Sequence, residues 1–202
     1  IEGIGITTGV PPNLTAEQVG VELVGVVRLL AERTGNSIPI GISTKHPSKD
    51  ILYMLRDAGA IEARLNIEVY NPALAAKLMP NKRMDDVLLS IENACEVFGR
   101  GRVSSNMIIG VGETDDDVVK GIEELAKIGA IATLYPYDPL PENDARMRAA
   151  GVSSVGIPSA ERLVLLAIEQ KRIFSEYRLD GALLRTMCPA CAASHIMPGR
   201  DL

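Results

Sequence analysis

Short apolar runs alternate with helix-length amphipathic segments along the whole of this 202-residue chain, and no other feature constrains its fold so tightly. The apolar runs span residues 4–8, 38–43, 63–69, 103–109 and 131–135. After the first comes a Gly/Pro/Asn turn. Thr15, with Gln18 three residues on, then reads as a capping box for a helix that Gly35-Asn36 ends. Further helices are expected over residues 48–58 and 84–98, and the second of these carries Met84, Val87, Leu88, Ile91, Cys95 and Phe98 on one stripe. Asn71-Pro72 opens a short helix with proline at its first position. Thr114, Asp115, Asp116 and Asp117 start another, where acids suit the positive helix end. Ser159 caps a last long helix, a proline-rich loop covers residues 135–141, and the tail from residue 187 is rich in turns.

Five βα units argue for an α/β fold with a parallel sheet wrapped by helices. Near-continuous apolar runs fit strands buried on both faces. A closed eight-fold barrel takes about 250 residues. The chain begins at Ile1 and runs at once into an apolar stretch, so the expectation is a partial parallel (β/α) barrel from its second strand onward, over residues 1–180, with a cysteine-containing tail over residues 181–202. In barrels the chemistry sits at the C-terminal strand ends. Those ends read Thr7-Thr8-Gly9, Ser43-Thr44-Lys45-His46, Asn66-Ile67-Glu68, Gly110-Val111-Gly112-Glu113 and Tyr135-Pro136-Tyr137. Asn66 and Glu68 are two apart and so share a face of a strand. Buried there, they must either pair with each other or face a ligand.

Composition narrows the function classes. With 26 acidic against 21 basic residues and a net charge of −5, a broad nucleic-acid-binding surface is not expected. No run of eighteen apolar residues and no signal-like start are present, and three cysteines do not make a secreted disulfide scaffold. The expected setting is the cytoplasm, with neither membrane nor nucleic acid as partner. Aromatic residues make up 3% of the chain and there is no Trp, so the core must be aliphatic.

Three ordered stretches carry a family resemblance: Arg64-Leu65-Asn66-Ile67-Glu68-Val69, then Leu78-Met79-Pro80, then Val103 through Thr114 with its Gly110-Val111-Gly112-Glu113-Thr114 turn. Together they resemble radical SAM enzymes of the lipoyl synthase and biotin synthase type, which show an Asn-x-acid strand, a Pro-Gly turn and a Gly-Leu-Gly-Glu-Thr turn in this order. The resemblance covers residues 4–137. Here Pro80-Asn81 stands where the family has Pro-Gly. The Cys-x3-Cys-x2-Cys loop that holds the radical-generating [4Fe-4S] cluster belongs upstream of Ile1 by this alignment, which implies that the chain lacks an N-terminal part.

The resemblance implies a site for S-adenosylmethionine. Thr7, Thr8 and Gly9 would receive the methionine amino group. Asn66 and Glu68 would hydrogen-bond ribose hydroxyls. Ile108 would flank the adenine, Gly110 would allow close backbone approach there, and the backbone around Leu134, Tyr135 and Tyr137 would pair with the adenine edge. Glu113 is expected to brace its own turn. The implied activity is reductive cleavage of S-adenosylmethionine to abstract hydrogen, with sulfur insertion as the leading reaction. Other cofactor-assembly or carbon-skeleton chemistry is the alternative within the family. A non-catalytic nucleotide- or metal-binding subunit is the alternative outside it. The implied partners are a small-molecule or carrier-bound substrate and an electron donor.

Cys188-Pro189-Ala190-Cys191, with His195 four residues on, is a second cluster of interest. Cys-x2-Cys spacing lets two thiolates reach one metal or iron–sulfur cluster. The pair reads as an auxiliary cluster or zinc site completed by His195, as a terminal disulfide, or as two idle thiols. Cys95 lies on the apolar stripe of its helix and reads as a buried thiol. His46 reads equally as a substrate contact and as a solvated loop residue.

Overall fold

The computed structural model describes residues 2–9, 11–152, 155–191 and 195–202. Five strands form one parallel sheet: β1 (Ile4–Thr7), β2 (Ile40–Ser43), β3 (Ala60–Arg64), β4 (Val103–Ile109) and β5 (Ile131–Pro136), in the order β1-β2-β3-β4-β5. Strand order that never reverses, with right-handed crossovers, keeps every connecting helix on one face of the sheet. That is the geometry of a barrel segment rather than of a doubly wound sheet. The helices are α1 (Ala16–Arg33), α2 (Lys49–Asp57), α3 (Pro72–Leu78), α4 (Met84–Phe98), α5 (Asp115–Ile128), α6 (Pro141–Ala149), α7 (Ala160–Glu176) and the short α8 (Met187–Cys191). Among the described residues, none is long and apolar enough to cross a membrane.

Local chemistry accounts for the element ends. Thr15 accepts from the Gln18 amide at 3.2 Å while the Gln18 side chain accepts from the Thr15 amide at 2.8 Å, which closes the capping box of α1. Thr114 and Asp117 do the same for α5. Asn71 caps α3 with Pro72 just inside it, and Ser159 caps α7. α6 begins at Pro141, the last residue of the expected loop, and runs through a stretch to which the sequence assigns no element. It buries no residue of its own, so no amphipathic stripe marks it in the sequence.

The outward sheet face and the helices share an aliphatic core that includes Ile40, Ile42, Leu52, Leu55, Ile91 and Ile122, each at most 1% exposed. Fully burying such a side chain is worth about 1.5–3 kcal/mol. The opposite, inner face is small or polar instead: Gly41 and Ser43 on β2, Glu62 and Arg64 on β3, Ser104 and Asn106 on β4, Thr133 on β5. β2, β4 and β5 are buried on both faces, as expected, but the two faces differ in chemistry. Apolar runs reflect the helix-facing side, and the inner side is filled by hydrogen-bonding groups. Thr133 donates to the Asn106 side chain at 2.6 Å, and Arg64 donates to Ser43 Oγ at 3.0 Å and Thr7 Oγ1 at 3.4 Å.

Cys95 is buried in the core, and burial pushes its thiol up to about 12. We expect iodoacetamide at pH 8 to leave Cys95 unmodified in the native chain and to label it fully in urea, read by peptide mass spectrometry, because the thiolate is the nucleophile. Labelling at equal rates in both states would contradict this burial.

Candidate functional site

β3 is shorter than its apolar run. The ladder ends at Arg64, whereas the apolar run that the sequence assigns to the same strand continues to Val69. Burial nevertheless keeps alternating, with Leu65, Ile67 and Val69 buried and Asn66 and Glu68 half-buried. Glu68 adopts φ +65°, the left-handed region, and makes an isolated bridge to Met107 on β4. Its amide donates to the Asn106 carbonyl at 2.9 Å, and its carbonyl accepts from the Ile108 amide at 2.7 Å. A non-glycine residue in that conformation costs about 1–2 kcal/mol. Such strain concentrates at sites of function.

Glu68 lies on the wall of a cavity of about 550 Å³ at the C-terminal strand ends. Ile108 of β4 lines the same cavity, as do Tyr135 and Tyr137 at the end of β5 and Lys77 and Met79 from α3 and its end. A third wall comes from α6, through Asn143, Arg146 and Met147. The Tyr137 hydroxyl donates to Asp144 of α6 at 2.6 Å. Burial, then this bond, pushes the Tyr137 phenol up to about 12, so it stays a donor and holds α6 in place. The cavity therefore offers an apolar floor at Ile108 and two acidic residues, Glu68 on one wall and Asp138 beyond β5.

The other expected site residues distribute differently. Asn66 turns its side-chain oxygen to the Asn106 amide at 3.3 Å and its backbone carbonyl to Lys82 Nζ at 2.6 Å. Thr7, Thr8 and Gly9 stand at the end of β1. Thr7 meets Arg64 there, and the Thr8 amide donates to the Ser43 carbonyl at 2.9 Å. Gly110 adopts φ +105°, and a Cβ there would collide with the Gly156 carbonyl, so its close approach is made by the chain itself and not toward the cavity. Leu134 points to the helix side and lines a separate apolar cavity of about 230 Å³ with Leu163, Ala167 and His195. Glu113 accepts from the Gly110 and Val111 amides, both at 2.8 Å, and from Arg162 of α7 at 3.0 Å. The acid of that turn is thus a brace that ties the turn to α7.

His195 stacks on Tyr135 with ring centroids 6.4 Å apart, and its ring nitrogens have no partner among the described residues. Burial, then nearby Arg200, lowers its basicity. The side chains of Cys188 and Cys191 lie outside the described residues, and among those described no group of three metal-ligating side chains converges. The backbone of the pair forms α8.

Two features carried no sequence signal. Glu62 is 2% exposed on the inner face of β3, where its carboxylate accepts from the Arg185 and Thr186 amides at 2.9 Å each, from Thr186 Oγ1 at 2.6 Å and from Arg102 at 3.1 Å. A Cβ on Gly41 of β2 would overlap Thr186 Oγ1, so the tail crosses the inner sheet face through a gap that only glycine leaves. Lys82, in the short connection between α3 and α4, has no periodicity to mark it.

Among solved structures, coproporphyrinogen III oxidase from Escherichia coli matches at TM-score 0.64 and 16% identity, covering 88% of this chain and 41% of that one. Methylornithine synthase matches at TM-score 0.65 and 17% identity, covering 84% and 48%. A domain of pyruvate-formate lyase-activating enzyme from Bacteroides vulgatus matches at 0.60 and 13%, covering 88% and 96%. At these identities the likeness is one of fold, and the chain spans less than half the length of the first two. No curated protein sequence matches the chain. The radical SAM superfamily model matches residues 1–125, more than half of the sequence. With the consecutive parallel sheet and its cavity at the C-terminal strand ends, that match establishes that the chain belongs to the radical SAM superfamily.

Proposed function

We propose that the 550 Å³ cavity binds S-adenosylmethionine and that the chain serves its reductive cleavage. The observation that carries this reading is Glu68, a carboxylate on the cavity wall held in a strained backbone conformation beside an apolar surface. A carboxylate accepts two hydroxyl hydrogen bonds, which suits a ribose diol. Ile108 gives the adenine an apolar face, and the backbone of Tyr135 to Tyr137 offers its polar edge. Tyr137 and Asp144 hold α6 as a wall that limits water. Thr7, Thr8 and Gly9, at the end of β1, stand where the methionine end is expected. Bound beside a reduced [4Fe-4S] cluster, S-adenosylmethionine supplies hydrogen abstraction from an unactivated carbon. Cys95, Cys188 and Cys191 do not have the spacing of that cluster's loop.

Glu68→Ala is expected to weaken S-adenosylmethionine binding by about 10–100-fold, the value of charge-assisted hydrogen bonds to a diol. Isothermal calorimetry on both proteins reads it, with circular dichroism confirming the fold. Equal affinity would remove Glu68 from the site.

For the reaction, we propose sulfur insertion of the lipoyl or biotin synthase type, a transfer step in cofactor assembly. It acts on a small or carrier-bound substrate and takes its electrons from an external donor. The Cys188–Cys191 pair with His195 supports it, because a sulfur donor needs a second cluster. Cys188→Ser with Cys191→Ser is expected to lower bound iron after reconstitution. Unchanged iron would favour carbon-skeleton chemistry, which needs one cluster.

A further inference from the structure

Beside the cavity, three nitrogen-bearing side chains gather at the ends of β2 and β3. Lys45 and His46 follow β2, and Lys82 reaches in from the connection before α4. Lys82 Nζ donates to the Asn66 carbonyl at 2.6 Å, and the His46 ring takes the same Asn66 backbone as its hydrogen-bonding neighbour. The Nδ1 of His46 is buried without a partner, as is the neighbouring Thr44 hydroxyl. Among the described residues neither Lys45 nor Lys82 is ion-paired. The charged groups that face this cluster are the two lysines themselves and Glu68, whose carboxylate attracts Lys82.

A half-buried ammonium whose partner is one neutral carbonyl is an incomplete arrangement. Lys82 has three donors and spends one on Asn66. Desolvation lowers its basicity, and Lys45 lowers it further. Burial, then Lys82, brings His46 down to about 4, so at neutral pH the ring is uncharged and its orphaned Nδ1 can only accept, or must be protonated. A negatively charged oxygen group placed here would meet spare N–H donors of Lys82 and relieve the repulsion between the two ammonium groups. It would also lie next to Glu68 and hence next to the reacting end of the cavity.

We propose that Lys45, His46 and Lys82 form an oxyanion subsite that takes a carboxylate or phosphate group of the substrate. The subsite orients an anionic substrate against the cofactor cavity, and its place beside that cofactor rests on the functional reading above. Binding of a free anion does not.

The test uses the chain itself and inorganic phosphate as probe, at constant ionic strength in chloride. The sequence holds two histidines, so their imidazole proton resonances report each site separately. Phosphate is expected to move the His46 resonance saturably and raise its titration midpoint, because an adjacent anion favours the charged ring. The His195 resonance stays in place. Lys82→Met weakens phosphate about tenfold, the worth of one charge-assisted hydrogen bond. Lys45→Met, at an exposed position, weakens it while leaving the fold untouched, which covers the case of a misfolded Lys82 variant. Acetate in place of phosphate separates the two sources by which binds tighter. A His46 resonance that ignores both anions overturns the proposal. Displacement of phosphate by S-adenosylmethionine also overturns it, since the subsite would then belong to the methionine carboxylate. Phosphate binding in a chain that binds no S-adenosylmethionine would sink the cofactor reading and leave the anion subsite standing.

Discussion

Glu62→Ala is expected to lower the stability of this protein by about 3–5 kcal/mol, because it leaves two backbone amides and a hydroxyl unpaired at about 1–3 kcal/mol each. The carboxylate is 2% exposed and gathers the Arg185 and Thr186 amides, the Thr186 hydroxyl and the Arg102 guanidinium. Its loss strands the two amides and the Thr186 hydroxyl on the inner face of the sheet, while the Arg102 side chain, 41% exposed, keeps its bond to the Leu183 carbonyl. The damage should be local in its first consequence. Glu62 fixes the point where the tail crosses the sheet, at Arg185 and Thr186, so trypsin should cut at Arg185 under conditions where the parent resists. Urea denaturation reads the stability and gel analysis reads the cleavage. A midpoint within error of the parent, with unchanged proteolysis, would mean that the tail is held by something else. Gly41→Val attacks the same junction from the other side, because its side chain would occupy the space of Thr186 Oγ1. It should reproduce the tail release while leaving the carboxylate in place.

Gly110→Ala should cost about 3 kcal/mol or more, from two independent causes. The position has φ +105°, where an L side chain is strained by about 1–3 kcal/mol. The added Cβ would also overlap the Gly156 carbonyl, and Gly156 donates its amide to Gly110 at 2.9 Å. The turn cannot yield without disturbing the Glu113–Arg162 bond at 3.0 Å and with it the seat of α7. Gly156→Ala is the matched control. Its Cβ meets nothing within 4 Å, and the change should stay within about 0.5 kcal/mol. Equal urea midpoints for the two variants would refute the close approach.

The junctions that these two substitutions probe were illegible in the sequence, whereas the elements around them were plain. Capping at Thr15, Asn71, Thr114 and Ser159 is decided within three residues of chain, so it can be read from those residues alone. The stripe from Met84 to Phe98 and the apolar runs of β1, β2, β4 and β5 are likewise local periodicities. α6 escaped because it buries nothing, and a helix without a buried face has no period to betray it. β3 ended early because its neighbour rather than its own composition sets where pairing stops. Beyond Arg64 the chain bends through the left-handed Glu68 to rejoin β4 at one bridge.

The candidate site divides in the same way. The strand ends named Glu68, Ile108, Tyr135 and Tyr137, and the fold brings all four to one cavity. Thr7, Thr8, Gly9, Gly110 and Leu134 also sit at strand ends, yet the cavity does not include them. Which end faces which space depends on the curvature of the sheet and on where α6 lies. By itself, then, the sequence determined the order and type of most elements, the aliphatic core and the end of the sheet at which the cavity opens, because periodicity and capping act over a few residues. Only the tertiary structure decided that Glu62 meets Thr186 across 124 positions, that Lys82 comes to His46, and that Gly110 makes room for Gly156. Each of those pairings joins residues far apart in the chain, and their partners become neighbours only when the sheet is assembled.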